Sequence, residues 1–184
     1  MRKIFITLAM GLFLTLGTLN AQTRIKTNAL YWAFLAPNVS VETKMADNWT
    51  LEGGIMATYW KSLFRGKPFK WGEILVGTRY YTKKEFEGFY LGPFVAADVF
   101  IMSKYNYSRD KVQNGVGIAL GLTVGYQWKI SERWNIDCYI GGGWHHAWYW
   151  GENRDTGEMY IGWNKSGEWM PYRGAVSFSY RLFK

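Results

Sequence analysis

His145 and His146 stand side by side in the run GGGWHHAWYW, with Asp137 and Cys138 shortly before them and Glu152, Asp155 and Glu158 shortly after. Residues of these types serve metal coordination and general acid–base chemistry. Their spacing argues against both. Neighbouring residues of a strand point to opposite faces, so the two imidazoles form no ligand pair on a regular strand. A metal site would need a bulge or loop and a distant further ligand. Two polar aromatic residues in an outer girdle is the plainer reading, and neither metal nor cofactor is expected. Hydrolysis of lipid A or phospholipid acyl esters would need a histidine held by an acid within reach of a serine. Ser177 and Ser179, on a strand expected to pair with that of the histidines, are the nearest candidates, but no motif specifies a triad. Gly141-Gly142-Gly143 lacks the strand-to-helix setting and the Lys and Ser or Thr of a phosphate loop. No catalytic residue is assigned, and a non-catalytic role is favoured over an enzymatic one.

A second set of residues is defined by parity. Glu42, Glu52, Glu73, Arg79, Asp98, Arg173 and Arg181 alternate with apolar neighbours, as does Lys44. On strands they would share one face, and ionised groups buried there need partners of opposite sign. They are expected to pair across an interior as a charge network that fills the lumen, with a continuous channel as the weaker alternative.

The elements that must carry these residues show best in 115–129, GVGIALGLTVGYQWK, where Val, Ile, Leu, Leu, Val, Tyr and Trp alternate with Gly, Ala, Thr and Gln. This is a period of two with an unbroken apolar face and a small or polar one. A soluble sandwich or lipocalin packs a dense apolar core and turns polar residues to water. Here the pattern suits lipid outside and a small polar lumen inside. Eight strands are expected, at 26–33, 37–45, 49–59, 71–81, 89–101, 115–129, 134–148 and 172–183, with seven plus an arm left open because the first is short. Pro37 marks a tight reversal and Pro93 a bulge or non-bonded position. Short turns alternate with longer loops at 60–70, 102–114 and 149–171, the asymmetry of periplasmic and extracellular connections. The fold class is therefore an all-β, transmembrane, eight-stranded antiparallel up-and-down barrel, in one domain over 22–184.

Residues 1–21 read as a secretory signal peptide: Met1-Arg2-Lys3, an apolar run, and a small residue at Ala21. The run is short for a transmembrane helix. A formal charge of +8, less Arg2 and Lys3, leaves 8 − 2 = +6 on the remainder, scattered along the chain. Export and this scatter exclude nucleic acid and favour a basic rim against anionic headgroups or lipopolysaccharide. Trp, Tyr and Phe reach 19%, including 11 Trp and 13 Tyr, an excess that suits membrane girdles. The lone Cys138 excludes an internal disulfide and is expected on an apolar strand face.

The run Lys26-Thr27-Asn28-Ala29-Leu30-Tyr31-Trp32-Ala33, then Pro37-Asn38-Val39-Ser40-Val41-Glu42, with Trp49 and Tyr80-Tyr81, resembles a family of Bacteroidota proteins catalogued as domain of unknown function 3575. The resemblance covers essentially the whole mature chain. It implies a small outer-membrane β-barrel of Gram-negative gut or oral bacteria, sometimes encoded near fimbrial genes, and brings no activity or catalytic residues. The end Leu182-Phe183-Lys184 departs from the aromatic final residue of most outer-membrane barrels. The expected localisation is the outer membrane of a Gram-negative bacterium. Expected partners are membrane lipid and lipopolysaccharide, the barrel assembly machinery, and a fimbrial or other envelope protein. A structural or binding role is expected, with a lipid-modifying enzyme and a soluble barrel binding an apolar ligand as alternatives.

Overall fold

The computed structural model describes residues 22–61, 66–104 and 106–182. The expected signal peptide and the terminal Phe183-Lys184 lie outside them. The elements are β1 (Thr23–Asn28), α1 (Ala29–Ala33), β2 (Asn38–Ala46), β3 (Trp49–Lys61), β4 (Pro68–Tyr81), β5 (Gly88–Met102), β6 (Lys111–Lys129), β7 (Trp134–Asn153) and β8 (Met159–Arg181). Each strand pairs antiparallel with the next, and β1 pairs with β8 to complete a ring of eight. Alternation is the cause: along β5 every second residue from Gly88 to Phe100 is buried, while those between face outward.

The ring departs from the expected all-β barrel in how it closes. β1 ends at Asn28, five residues short of the expected end of the first strand, and Ala29–Ala33 is helical. Asn28 caps α1, its side-chain oxygen accepting from the Leu30 amide at 3.0 Å. The helix ends at Ala33 with Phe34 as its C-cap, and Leu35 just beyond has a left-handed φ of 54°. β1 therefore meets β8 only from Arg24↔Arg181 to Asn28↔Ser177. Above Ser177 no described strand pairs with that edge of β8, so the ring is closed by strands over part of its height and α1 stands in the gap. The expected all-β, transmembrane, eight-stranded up-and-down barrel is corrected accordingly.

A further expectation is corrected. The loop expected at 149–171 is largely strand: β7 runs to Asn153 and β8 starts at Met159. The register slips opposite Gly141/Gly143, Tyr149/Gly151 and Gly151/Glu152 each put an extra residue into β8 and hide it from a period-of-two reading, because each reverses the parity of β8 while β7 keeps its own. Of the two expectations for Pro93, the bulge is absent, since Pro93 faces Leu122 in unbroken register, while the β4–β5 ladder skips from Gly77↔Phe94 to Tyr80↔Leu91 and leaves Pro93 at a non-bonded position. No helix among the described residues is long and apolar enough to cross a membrane, a fact that bears on helices alone.

The interior is stacked in layers. At the end holding the chain termini, Phe86 folds inward from the 82–87 turn with φ 65°, under Tyr81 and Arg24, whose guanidinium lies 5.1 Å from the Phe86 ring centre. Asn135 Nδ2 donates to the Phe86 carbonyl at 2.6 Å. Above this floor comes a charged layer. Next is a small apolar layer of Leu75, Phe94, Ala96 and Ala119, and then Phe100, Ala147 and Tyr149 with Trp71 stacked on Phe100. The soluble barrel with a bulky apolar lumen is contradicted by this charged interior and by the apolar exterior, where Ile55, Ile74, Val95, Leu120, Leu122 and Ile140 are all exposed.

Candidate functional site

The charged layer is the most specific polar construction in the molecule. Glu42 from β2, Glu52 from β3, Arg79 from β4 and Asp137 from β7 project inward by parity, and Lys26 reaches them from β1. Lys26 Nζ lies 2.9 Å from Glu42 Oε2, 3.5 Å from Glu52 Oε1 and 2.5 Å from Asp137 Oδ2. Arg79 bridges Glu52 at 2.6 Å and Asp137 at 2.7 Å, with Glu42 at 3.6 Å. Hydroxyls complete the shells. Thr50 and Tyr81 donate to Glu42 Oε1 at 2.6 and 2.7 Å, Tyr90 to Asp137 Oδ1 at 2.8 Å, and Ser40 to Glu52 at 3.0 Å. The Arg79 guanidinium also sits 4.4 Å from the Tyr90 ring centre.

The arrangement is a plug. Two cations meet three carboxylates, a net of 2 − 3 = −1, and every one of these side chains is buried. Ions held this closely by charge-assisted bonds are neither free to exchange protons with water nor arranged around a vacant coordination site. Among the described residues no group of His, Cys, Asp and Glu is placed to hold a metal.

Of the residues expected in the network, Glu42, Glu52 and Arg79 meet directly, Arg173 interacts with Glu52 through charge without a direct ion pair, and the others do not join them. Asp98 lies higher and pairs with His145, Nε2 to Oδ2 2.9 Å. Glu73 is half-buried and lines a small crevice with Tyr31, Tyr139 and Arg173. Arg173 donates to Tyr139 Oη at 3.0 Å. Arg181 faces Arg24 at the lower rim and has no carboxylate within 4 Å among the described residues. Lys44 turns to Asp47 and Glu85 at 2.9 and 3.2 Å. Lys26 and Asp137 are the members missed as partners. The alternation Arg24-Ile25-Lys26 was the available signal for Lys26, and Asp137 already lay on the inward parity.

The histidines part as strand geometry requires. His145 is inward; His146 is on the outer face, its ring 4.6 Å from that of Trp148. The girdle reading thus holds no place for His145, which is an interior residue. Gly117 makes room for its pair with Asp98, since a Cβ there would lie 2.3 Å from His145 Nε2. No triad forms with the serines. Ser177 faces Asp137 in register and Ser179 faces Asn135, whereas His145 faces Glu168. Eight residues of β7 separate Asp137 from His145, about 26 Å at the rise of a strand. The Ser–His–acid arrangement that the alternative, lipid-modifying reading needs is not formed by His145, Ser177 and Ser179.

No curated protein and no solved structure matches the chain. The resemblance drawn from the amino-terminal motifs is corrected to family membership alone: the family's description names no membrane, fimbria or activity, so the outer-membrane identity and the fimbrial or other envelope role attached to it have no footing there. Over residues 4–182 the sequence matches the family described as Protein of unknown function (DUF3575), and the chain belongs to that family.

Proposed function

We propose that the protein resides in a lipid bilayer, the outer membrane of a Gram-negative bacterium, as a barrel sealed against conduction, delivered there by the barrel assembly machinery. The observation that carries the reading is the outer face: an apolar belt above a lower band of aromatics that runs over β3 to β8, with a second aromatic cluster above it on β7 and β8. The lower band holds Trp49 against Tyr80, Tyr126 between Phe89 and Trp128, and Trp134 against Tyr180. The upper cluster, on β7 and β8, holds His146 against Trp148 and Trp150 stacked on Trp163. From Tyr126 up to Val116, which faces Trp148, β6 climbs ten residues, 126 − 116. On a strand tilted about 40° that is roughly 25 Å, the height of the apolar band of a transmembrane barrel. A water-soluble chain seldom exposes so large a contiguous apolar surface.

The plug supports the sealed part of the reading, because its ion pairs span the interior from β1, β2 and β3 to β7. The reading assigns no reaction. It is tested by fractionation and by planar-bilayer recording of the refolded protein. Retention in membranes after an alkaline wash and the absence of stepwise conductance are expected. Recovery in a detergent-free periplasmic extract would overturn membrane residence, and resolved conductance steps would overturn the seal.

A further inference from the structure

The outer face carries a furrow of about 570 Å³ across β3 to β7. Two rows of side chains, each running around the barrel in register, define it. The upper row is Tyr59, Lys70, Ile101, Asn114 and Trp150; the row beneath is Ala57, Gly72, Val99, Val116 and Trp148. Ala57 and Gly72 stand where neighbouring strands carry bulky side chains, and their smallness makes the hollow. Its floor is apolar, while its upper rim is not. Lys70 Nζ lies 4.4 Å from the Tyr59 ring centre and 3.2 Å from its hydroxyl, with no carboxylate within 4 Å among the described residues. Two strands along the same row, beyond Ile101, Asn114 Nδ2 donates to Glu152 Oε1 at 2.8 Å.

An uncompensated ammonium at girdle height, above a chain-width apolar hollow, matches an amphiphile with an anionic head. The amide–carboxylate pair two strands away, about 10 Å along the rim, adds hydrogen-bonding groups suited to hydroxyls, and the carboxylate makes an anion alone a poorer match than an anion borne on a sugar. Given the membrane residence proposed above, on which this rests, we infer that the furrow binds a phosphorylated glycolipid. Lys70 takes the phosphate, Asn114 and Glu152 take sugar hydroxyls, and an acyl chain lies over Ala57, Gly72 and Val99.

The test titrates the full chain, purified in neutral detergent and checked for heat-modifiable mobility, with three probes: lipid A, phosphatidylglycerol and an alkyl maltoside. Lipid A is expected to bind at least about tenfold tighter than either other probe. Lys70→Ala should weaken lipid A about tenfold, with Lys70→Arg restoring it. Gly72→Leu should abolish binding by filling the furrow, since a Cβ at Gly72 meets only the Val99 side chain, at 3.3 Å. Ala57→Leu serves as the second filling variant if Gly72→Leu does not fold. Equal affinity for lipid A and phosphatidylglycerol, or lipid A binding unmoved by a folded filling variant, would overturn the inference while leaving membrane residence standing. Failure of the wild-type protein to enter liposomes would instead overturn the residence.

Discussion

Lys26 is the residue on which the interior depends most, because it is one of two cations among three carboxylates. Lys26→Met leaves Arg79 alone, a net of 1 − 3 = −2, and is expected to cost about 3–5 kcal/mol, the scale for stranding buried charge. Adding Asp137→Leu restores the balance to 1 − 2 = −1. The double variant should therefore unfold at a higher denaturant concentration than Lys26→Met alone, and a double variant less stable than the single one would refute the account. Phe86 presents a different case. It is buried with a left-handed backbone in a turn whose composition, Lys83-Lys84-Glu85-Phe86-Glu87, suggests only a charged surface loop. Phe86→Ala is expected to cost about 3 kcal/mol by opening the floor, as large-to-small substitutions of buried aromatics do. The inward parity of Glu42, Glu52 and Arg79 was legible from alternation. That they meet one another, while Arg173 meets Tyr139, depends on how strands from opposite walls face across the lumen.

Among the elements, β1 is the weak closure. It has 6 residues against the 23 of β8, and α1 replaces its upper part. Amide exchange should accordingly open β1 first, ahead of β5 and β6, which pair from Gly88↔Gln127 to Met102↔Gln113. Equal protection of β1 and β6 would show that closure is uniform. At the opposite end, Asp110 ties the β5–β6 loop to the β7–β8 hairpin: its carbonyl accepts from the Arg154 amide at 2.6 Å and its carboxylate from Asn153 at 2.9 Å. The Ser108 hydroxyl first, then the backbone and the Asn153 amide, hold the Asp110 carboxyl below its ordinary range. A carboxyl lowered by folding stabilises fully above its unfolded value, about 3.9, and loses that contribution as pH falls through the lower folded value. The tether should thus stay protected at neutral pH and loosen only below about pH 4, as loop amide exchange would report; loosening between pH 5 and 7 would contradict it. The strands were legible where alternation is unbroken, as in β5 and β6. They were not in β8, whose extra residues reverse parity while β7 keeps its alternation to Gly151, nor at 29–33, where an Asn cap and residues compatible with a helix outweighed an apparent strand.

At the scale of the whole molecule the polarity is inverted, with charges inside and aliphatic side chains outside. The sequence by itself determined this inversion, because a period of two assigns every residue of an unbroken strand to one of two faces whatever the neighbouring strands do. It also determined the excess of aromatics. The tertiary structure alone decided which inward charges touch, that His145 pairs with Asp98 instead of a serine, and that the ring closes through five residues of β1. Those outcomes depend on register and on the diameter of the ring, which bring together side chains more than a hundred residues apart, such as Lys26 and Asp137. Local pattern carries the face of a residue; the partner across the lumen is set by closure.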